Sequence, residues 1–294
     1  MKIIQPSYEI WPQEGGVDGI YKQVERVGRV CYKSEDHVTE DSARPFVNRL
    51  IANEHFAMLE HASVWLVAPA GNLDFYRYNR FSRFASEGGL DYVSTNFRVV
   101  MEGRREADVD RYLSPCLPQH ERRVTVHFTT QIATTREFNR HRVNSMAEQS
   151  TRYCNYSKNK FGGEISVNRP AWVAAEPGGD TSEQGEATFA DLVKALGQGA
   201  DKWWGKLDNW LFANLAAEHA YMNLIRLGCK PQEARAILPL DTNTELVHTA
   251  FVADWKHFFD LRALGTTGVP HPDAKALAEP LRRDFIRRGW IEGD

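Results

Sequence analysis

Thirteen consecutive residues, Arg140-His141-Arg142-Val143-Asn144-Ser145-Met146-Ala147-Glu148-Gln149-Ser150-Thr151-Arg152, gather three guanidiniums, an imidazole, a carboxylate and two serine hydroxyls. Guanidiniums this close repel one another unless an anion sits between them. Each presents a planar fork of donors that matches phosphate oxygens two at a time and stays charged at any working pH. The chemistry indicated is the binding of a small phosphorylated anion, with room for more than one phosphate. A solvated basic stretch paired to nearby acids is the plainer alternative, as it is for most charge runs.

The elements around this stretch favour a pocket. Val124-Thr-Val-His-Phe128 alternates and is β-branched, so it reads as a strand. A helix is expected from about Gln131 to Asn139, capped by Thr129 or Thr130. On it Arg136 and Arg140 share a face, as do Glu137 and His141. Ser150 to Asn155 reads as extended again, placing Ser150 and Arg152 on one side and Thr151 and Tyr153 on the other. A helix end, a tight connection and a strand start would then turn their polar groups to one spot.

Arg140-His141-Arg142, seven residues, then Ser150 resembles the signature of the flavin-dependent thymidylate synthases, and Glu148-Gln-Ser-Thr-Arg-Tyr153 resembles its continuation. Further segments keep the family's order: Arg29-Val-Cys-Tyr32, His55-Phe-Ala-Met-Leu-Glu-His61, Ala234-Arg-Ala-Ile-Leu-Pro239 and His257-Phe-Phe-Asp-Leu-Arg262. The resemblance implies reductive methylation of dUMP at C5 to dTMP, with methylene-tetrahydrofolate as carbon donor and NADPH as reductant through FAD. It implies an α/β (α+β) fold: a twisted, largely antiparallel sheet flanked by helices, in a homotetramer with active sites between subunits.

Residue by residue, it implies that Arg140, His141, Arg142 and His257 hold FAD, and that Glu148 lies between the flavin and nucleotide sites. Gln149, Ser150, Thr151 and Arg152 would cradle the nucleotide's phosphate and sugar, with Glu137, Arg140 and Arg235 beside it. Arg262 would contact the pyrimidine and stabilise negative charge on its N3–C4–O4 edge, a catalytic role of the kind that usually contributes most. His55 would stand near the flavin and folate. Without the motif these residues read differently. Arg235 suits a salt bridge to Glu233 or to a neighbouring helix, Arg262 suits a helix end, and His55 and His61 suit a hydrogen-bonded core.

Several positions depart from the family pattern: Glu137 where Gln is usual, Ala147 for Asn, Ala57 for a hydroxyl residue, and Phe251 and Ala253 for an Asn and an Arg that often touch the flavin. They leave open a flavin-dependent C5-alkylation of another pyrimidine nucleotide. A non-catalytic nucleotide- or RNA-binding protein that kept the phosphate cradle is the reading from another class.

The chain of 294 residues is 42% hydrophobic and suffices for one domain over 1–294 with a sizeable core. Its net charge of −3 does not suggest bulk nucleic-acid binding. Cys31, Cys116, Cys154 and Cys229 contain no Cys-x-x-Cys pair, so reduced thiols and no metal site are expected. No apolar signal core opens the chain and no run of about eighteen apolar residues occurs, so a cytoplasmic protein without membrane contact is expected.

Residues 69–122 have no counterpart in the family and read as an insertion. Within it Phe75-Tyr-Arg-Tyr-Asn-Arg-Phe-Ser-Arg-Phe84 interleaves aromatic and basic residues, which suits a lid, a subunit contact, an RNA surface or simply a packing face. A flexible loop is expected at about 174–188, then helix from Phe189 to Leu227, broken near Gly197 or Gly199. Trp203, Trp204, Leu207, Trp210, Leu211 and Leu215 recur there at helical spacing, as core or subunit interface.

Overall fold

A computed structural model of the chain describes residues 1–174 and 188–293. The expected loop at about 174–188 therefore lies almost wholly outside the described residues. Among the described residues nine strands are present: β1 Lys2–Ile4, β2 Ser7–Trp11, β3 Ser63–Pro69, β4 Arg83–Glu87, β5 Leu90–Asn96, β6 Arg123–Gln131, β7 Ser145–Glu148, β8 Ser166–Asn168 and β9 Asn243–Phe251. Instead of one sheet they form three among the described residues. The central one is antiparallel in the order β2-β6-β9-β7, a second is antiparallel in the order β3-β5-β4, and β1 pairs parallel with β8.

The central sheet is buried on both faces. Val124, Val126 and Phe128 alternate to one side, where they pack with Trp255, Phe258 and Phe285 from the helices Val252–Phe259 and Pro272–Arg287. On the other side Trp11, Ala147 and Val247 meet Val27 and Val30 of the helix Gly16–Tyr32. The opposite flank of that helix, through Ile20 and Val24, joins the core over β3 and β5. The structure is thus layered as helices, sheet, helix, sheet.

Residues 69–122 belong to this last layer. Tyr76, Val93, Phe97, Val100 and Val109 are buried in the same core as Ile20 and Val47. The packing-face reading of the interleaved segment holds for Tyr76 and Phe84, while Tyr78 and Phe81 remain exposed.

The helical stretch is interrupted where its glycines predict: Phe189–Gly197, a turn at Ala200–Trp203 with Gly199 at φ +68°, then Lys206–Arg226. Trp210 and Leu211 are buried, and the Trp210 indole donates to Asp241 Oδ2 at 2.7 Å. Trp203 lies on the preceding turn, not on the stripe, and is exposed.

Two expectations near the motif are corrected. The helix is Ile132–Phe138, and neither Thr129 nor Thr130 caps it, because both are still paired with β9 and the cap position is Gln131. Ser150 to Asn155 is not extended: the Tyr153 and Cys154 amides both donate to the Ser150 carbonyl, closing a turn. The strand comes earlier, as β7, and the Ser150 amide leaves it to bond the Cys31 carbonyl at 2.9 Å.

Burying both sheet faces also buries histidines. His61 and His248 are fully enclosed, and burial pushes each down to about 3 from an ordinary 6.5. His61 Nδ1 meets Thr249 Oγ1 at 2.9 Å, and Asn144 Nδ2 lies 3.3 Å from His248 Nδ1. Both rings are neutral in the fold, while an unfolded chain protonates them below about 6.5. Their contribution is therefore complete above pH 6.5 and is lost as pH falls toward the folded values. Denaturant unfolding from pH 7.5 to 4.5 should show a falling midpoint with proton uptake on unfolding; a flat profile would mean these histidines are charged in the fold.

Candidate active site

The helix Ile132–Phe138 leaves one end of the β6–β9 ladder, and the helix Val252–Phe259 leaves the other. They meet over the same sheet face, with Phe138 and Phe258 rings 5.0 Å apart. Beyond Phe259 the backbone widens into a π-turn, Asp260–Leu264, a rare geometry that tends to mark functional positions. Gly265 closes it at φ +74°, where a Cβ would stand 2.7 Å from Pro270.

That turn carries Arg262 into the motif. Its Nη1 binds Glu137 Oε2 at 2.6 Å and its Nε donates to His141 Nε2 at 3.2 Å. A donor aimed at Nε2 requires a neutral imidazole with its proton on Nδ1. Burial agrees, since desolvation, then Arg262 and His257, push His141 down to about 4. The His257 ring stands edge-on to it at 5.6 Å. Glu137 and His141 come together as expected, but through Arg262, since the helix ends before His141. Among the described residues Glu137 pairs with Arg262 and with neither Arg136 nor Arg140.

A second group forms around the turn after β7. Arg152 Nε donates to Gln232 Oε1 at 3.2 Å, its amide to Ser150 Oγ at 3.3 Å, and Arg235 Nη1 to Thr151 Oγ1 at 3.4 Å. Glu233 does not engage Arg235; its carboxylate accepts from the Lys230 amide at 2.7 Å and caps the short helix Pro231–Ala234. Arg152 and Arg235 are exposed and neither pairs with a carboxylate among the described residues, a charge pattern that suits an anion.

Glu148 is held by one residue of the helix Ile132–Phe138 and by the residue that caps its end. It accepts from Thr135 Oγ1 at 2.8 Å and from Asn139 Nδ2 at 3.0 Å. Burial raises its carboxyl above the ordinary range, against the pull of those two donors. Gln149 is buried with its amide on the Glu245 carbonyl at 2.8 Å. Arg140 and Arg142 are exposed, and neither makes an ion pair among the described residues. His55 precedes the turn Phe56–His61, and its exposed side chain joins neither group.

Among the described residues no hydrogen bond or ion pair joins the Arg262 group to the Arg152 group. Thr135, Asn139 and Gln232 hold the candidate side chains Glu148 and Arg152 in place and were not singled out from the sequence; a contact made by folding marks them, and no motif does.

A family model described as thymidylate synthase complementing protein matches residues 118–286. The chain belongs to this family. The matched span holds every residue of both groups, while His55 and most of the 69–122 segment lie outside it. No curated protein matches the chain. Among solved structures it is similar to a UMP/dUMP methylase PolB from Streptomyces cacaoi bound with 5-Br dUMP, at 16% identity and a TM-score of 0.42, over 98% of this chain and 93% of that one. The same methylase bound with 5-Br UMP gives 16% identity and 0.42 over 98% and 92%. Among the described residues no helix is long and apolar enough to cross a membrane.

The Arg262 contact fixes one imidazole tautomer. Nitrogen-15 NMR should find His141 protonated on Nδ1 and unchanged from pH 8 to pH 5. In Arg262→Ala it should regain a mixed tautomer population and a higher pKa; an Nε2-protonated ring in the parent protein would refute the geometry.

Proposed function

We propose that this protein methylates a dUMP-like pyrimidine nucleotide at C5, taking the carbon from methylene-tetrahydrofolate and the reducing equivalents from NADPH through FAD. The supporting observation is Arg262, an obligate cation held against Glu137 and His141 beside the family's Arg-His-Arg motif. FAD fits the residues present: Arg140 and Arg142 are exposed without counter-ions next to a neutral His141, a rim suited to an anionic planar cofactor. When bound, FAD would supply the hydride chemistry that reduces the transferred carbon to a methyl group.

The chain's own residues bind and align. Ser150, Arg152 and Arg235, with the backbone at Gln149 and Thr151, would take the nucleotide's phosphate and sugar. Arg262 would exchange part of its contact with Glu137 for the pyrimidine's N3–C4–O4 edge and stabilise the negative charge that grows there. Glu148, kept by Thr135 and Asn139, would accept a ribose hydroxyl. His257 would flank the flavin with His141, and His55 would reach the flavin and folate from its exposed position.

Among the described residues no bond joins the two groups. A homotetramer in which one subunit's Arg152 group faces another's Arg262 group is the arrangement that the family resemblance implies. Cys154 is an unsuitable nucleophile for the uracil ring, being fully buried with its thiol pushed up to about 11 by burial.

Glu137 favours a second reading at one point. A carboxylate beside the nucleotide site suits a base or sugar carrying an extra donor, so another pyrimidine nucleotide would be the C5-alkylation substrate.

Tritium release from C5-labelled dUMP, with FAD, NADPH and methylene-tetrahydrofolate omitted in turn, tests the proposal. Release needing FAD and dTMP formation needing the folate are expected. No release from protein that holds flavin would shift the substrate to another pyrimidine, and loss of both would leave a binding protein.

Arg262→Ala should lower turnover by about 10²–10³-fold, the scale of a lost charge stabiliser, while FAD is retained. Arg152→Ala should weaken dUMP binding by about 1.5–3 kcal/mol, as for a charged hydrogen bond, measured by calorimetry. Cys154→Ala should keep its turnover; inactive but folded protein would demand a thiol mechanism.

A further inference from the structure

Two amides decide where the chain goes after β7. The Gln149 amide donates to the Glu245 carbonyl at 2.8 Å, and the Ser150 amide donates to the Cys31 carbonyl at 2.9 Å. One acceptor belongs to β9 and the other to the last turn of the helix Gly16–Tyr32. The direction of the turn that carries Ser150 and Arg152 therefore depends on how this strand and this helix end stand relative to each other.

A side-chain ion pair ties the two together. Lys33, the residue that caps the helix, binds Glu245 Oε1 through Nζ. The other carboxylate oxygen, Oε2, meets His127 Nε2 at 3.0 Å, and Trp11 stacks on that imidazole with ring centroids 4.5 Å apart. Burial pushes the Glu245 carboxyl up, but His127 and Lys33 more than reverse this, so it lies below its ordinary 4.5 and is charged at neutral pH. The contacts close a ring that runs from the helix end through Ser150, Gln149, β9, Glu245 and Lys33 back to the helix end.

Lys33 holds this place against its own backbone. Its φ of +49° is left-handed, a region that glycine adopts freely and other residues only at a cost. A lysine here forgoes the ease of glycine and supplies a charge that reaches β9. Lys160 adds a second tie, its Nζ donating to the carbonyls of Tyr32 and Lys33 at 3.0 Å each. Lys160 lies beyond the turn, so the chain on both sides of Ser150–Arg152 is fastened to one helix end.

These charges stand among open spaces. Lys33, Lys160 and Glu245 all line two cavities, of about 550 Å³ and about 310 Å³. Glu35, the other carboxylate near Lys33, is exposed and 3.6 Å from its Nζ. The tie between helix end and strand is thus carried by the Lys33–Glu245 pair.

We infer that Lys33 and Glu245 are positioning residues for the nucleotide's phosphate. Their ion pair sets the spacing of the two carbonyls that hold the Gln149 and Ser150 amides, and so aims Ser150 and Arg152. This rests on the proposed use of Ser150 and Arg152 as the phosphate cradle.

The test measures dUMP and deoxyuridine binding by calorimetry on full-length protein, as the parent, Lys33→Gly, Glu245→Gln and Lys33→Arg. The ratio of the two affinities isolates the phosphate, which a general loss of stability would not single out. Lys33→Gly removes the charge while easing the left-handed cap, so its melting temperature should stay near the parent's. Lys33→Gly and Glu245→Gln should each cut the preference for dUMP over deoxyuridine by about tenfold, the scale of one misplaced charged hydrogen bond. Lys33→Arg, which keeps a charge for Glu245, should restore most of the preference. A preference equal to the parent's in Lys33→Gly and Glu245→Gln overturns the inference and leaves the nucleotide reading standing. Equal loss of both ligands also overturns it, as the mark of a structural role alone. A parent protein that binds dUMP no better than deoxyuridine overturns the inference and the nucleotide reading together.

Discussion

The ladder between β6 and β9 sets everything else in place. Nine residue pairs, Arg123↔Phe251 to Gln131↔Asn243, span about 30 Å at ordinary strand rise. A helix starts from each end and runs back over the same face, about 12 Å for Val252–Phe259 and about 10 Å for Ile132–Phe138. The two converge near the middle, where Phe138 packs on Phe258 and the following turns overlap. Arg262 and Glu137 meet because two helices of these lengths cover a ladder of this length. Lengthening either helix by a turn would carry the ion pair out of reach.

Burial of the same sheet on both faces explains the polar interior. Alternation places Thr125 and Thr249 opposite one another, and their hydroxyls bond at 2.8 Å, with Gln23 on Thr125 at 3.0 Å and His61 on Thr249. On the other face His248 reaches Asn139 and Asn144, and Asn139 in turn holds Glu148. Enclosed polar atoms need such partners. Here the chain of partners ends at the residues of the site, so core packing and site geometry are one network.

The departures from the family pattern acquire a structural setting. Phe251 is the floor beneath Arg83 and Arg123, and Ala253 lies two residues further on, where the 69–122 segment closes in. That segment shares its core with the helix Gly16–Tyr32, so it is a fixed part of the molecule and its arginines are held at defined places.

The sequence alone determined what is local. The strand before the motif, the breaks at Gly197 to Gly199 and the family itself were legible, because periodicity, turn chemistry and motif spacing act over a few residues. Even there, strand pairing decided where the helix began, and a turn replaced the extended stretch after Ser150. Only the tertiary structure decided the chemistry of the arginines. Arg262 was legible as a helix end or as a family residue, but its partners Glu137 and His141 lie 125 and 121 positions away. Arg123 was an unremarked strand residue. Whether a guanidinium is neutralised, buried or open to a ligand depends on what packs against it, and that is fixed by contacts across the whole chain.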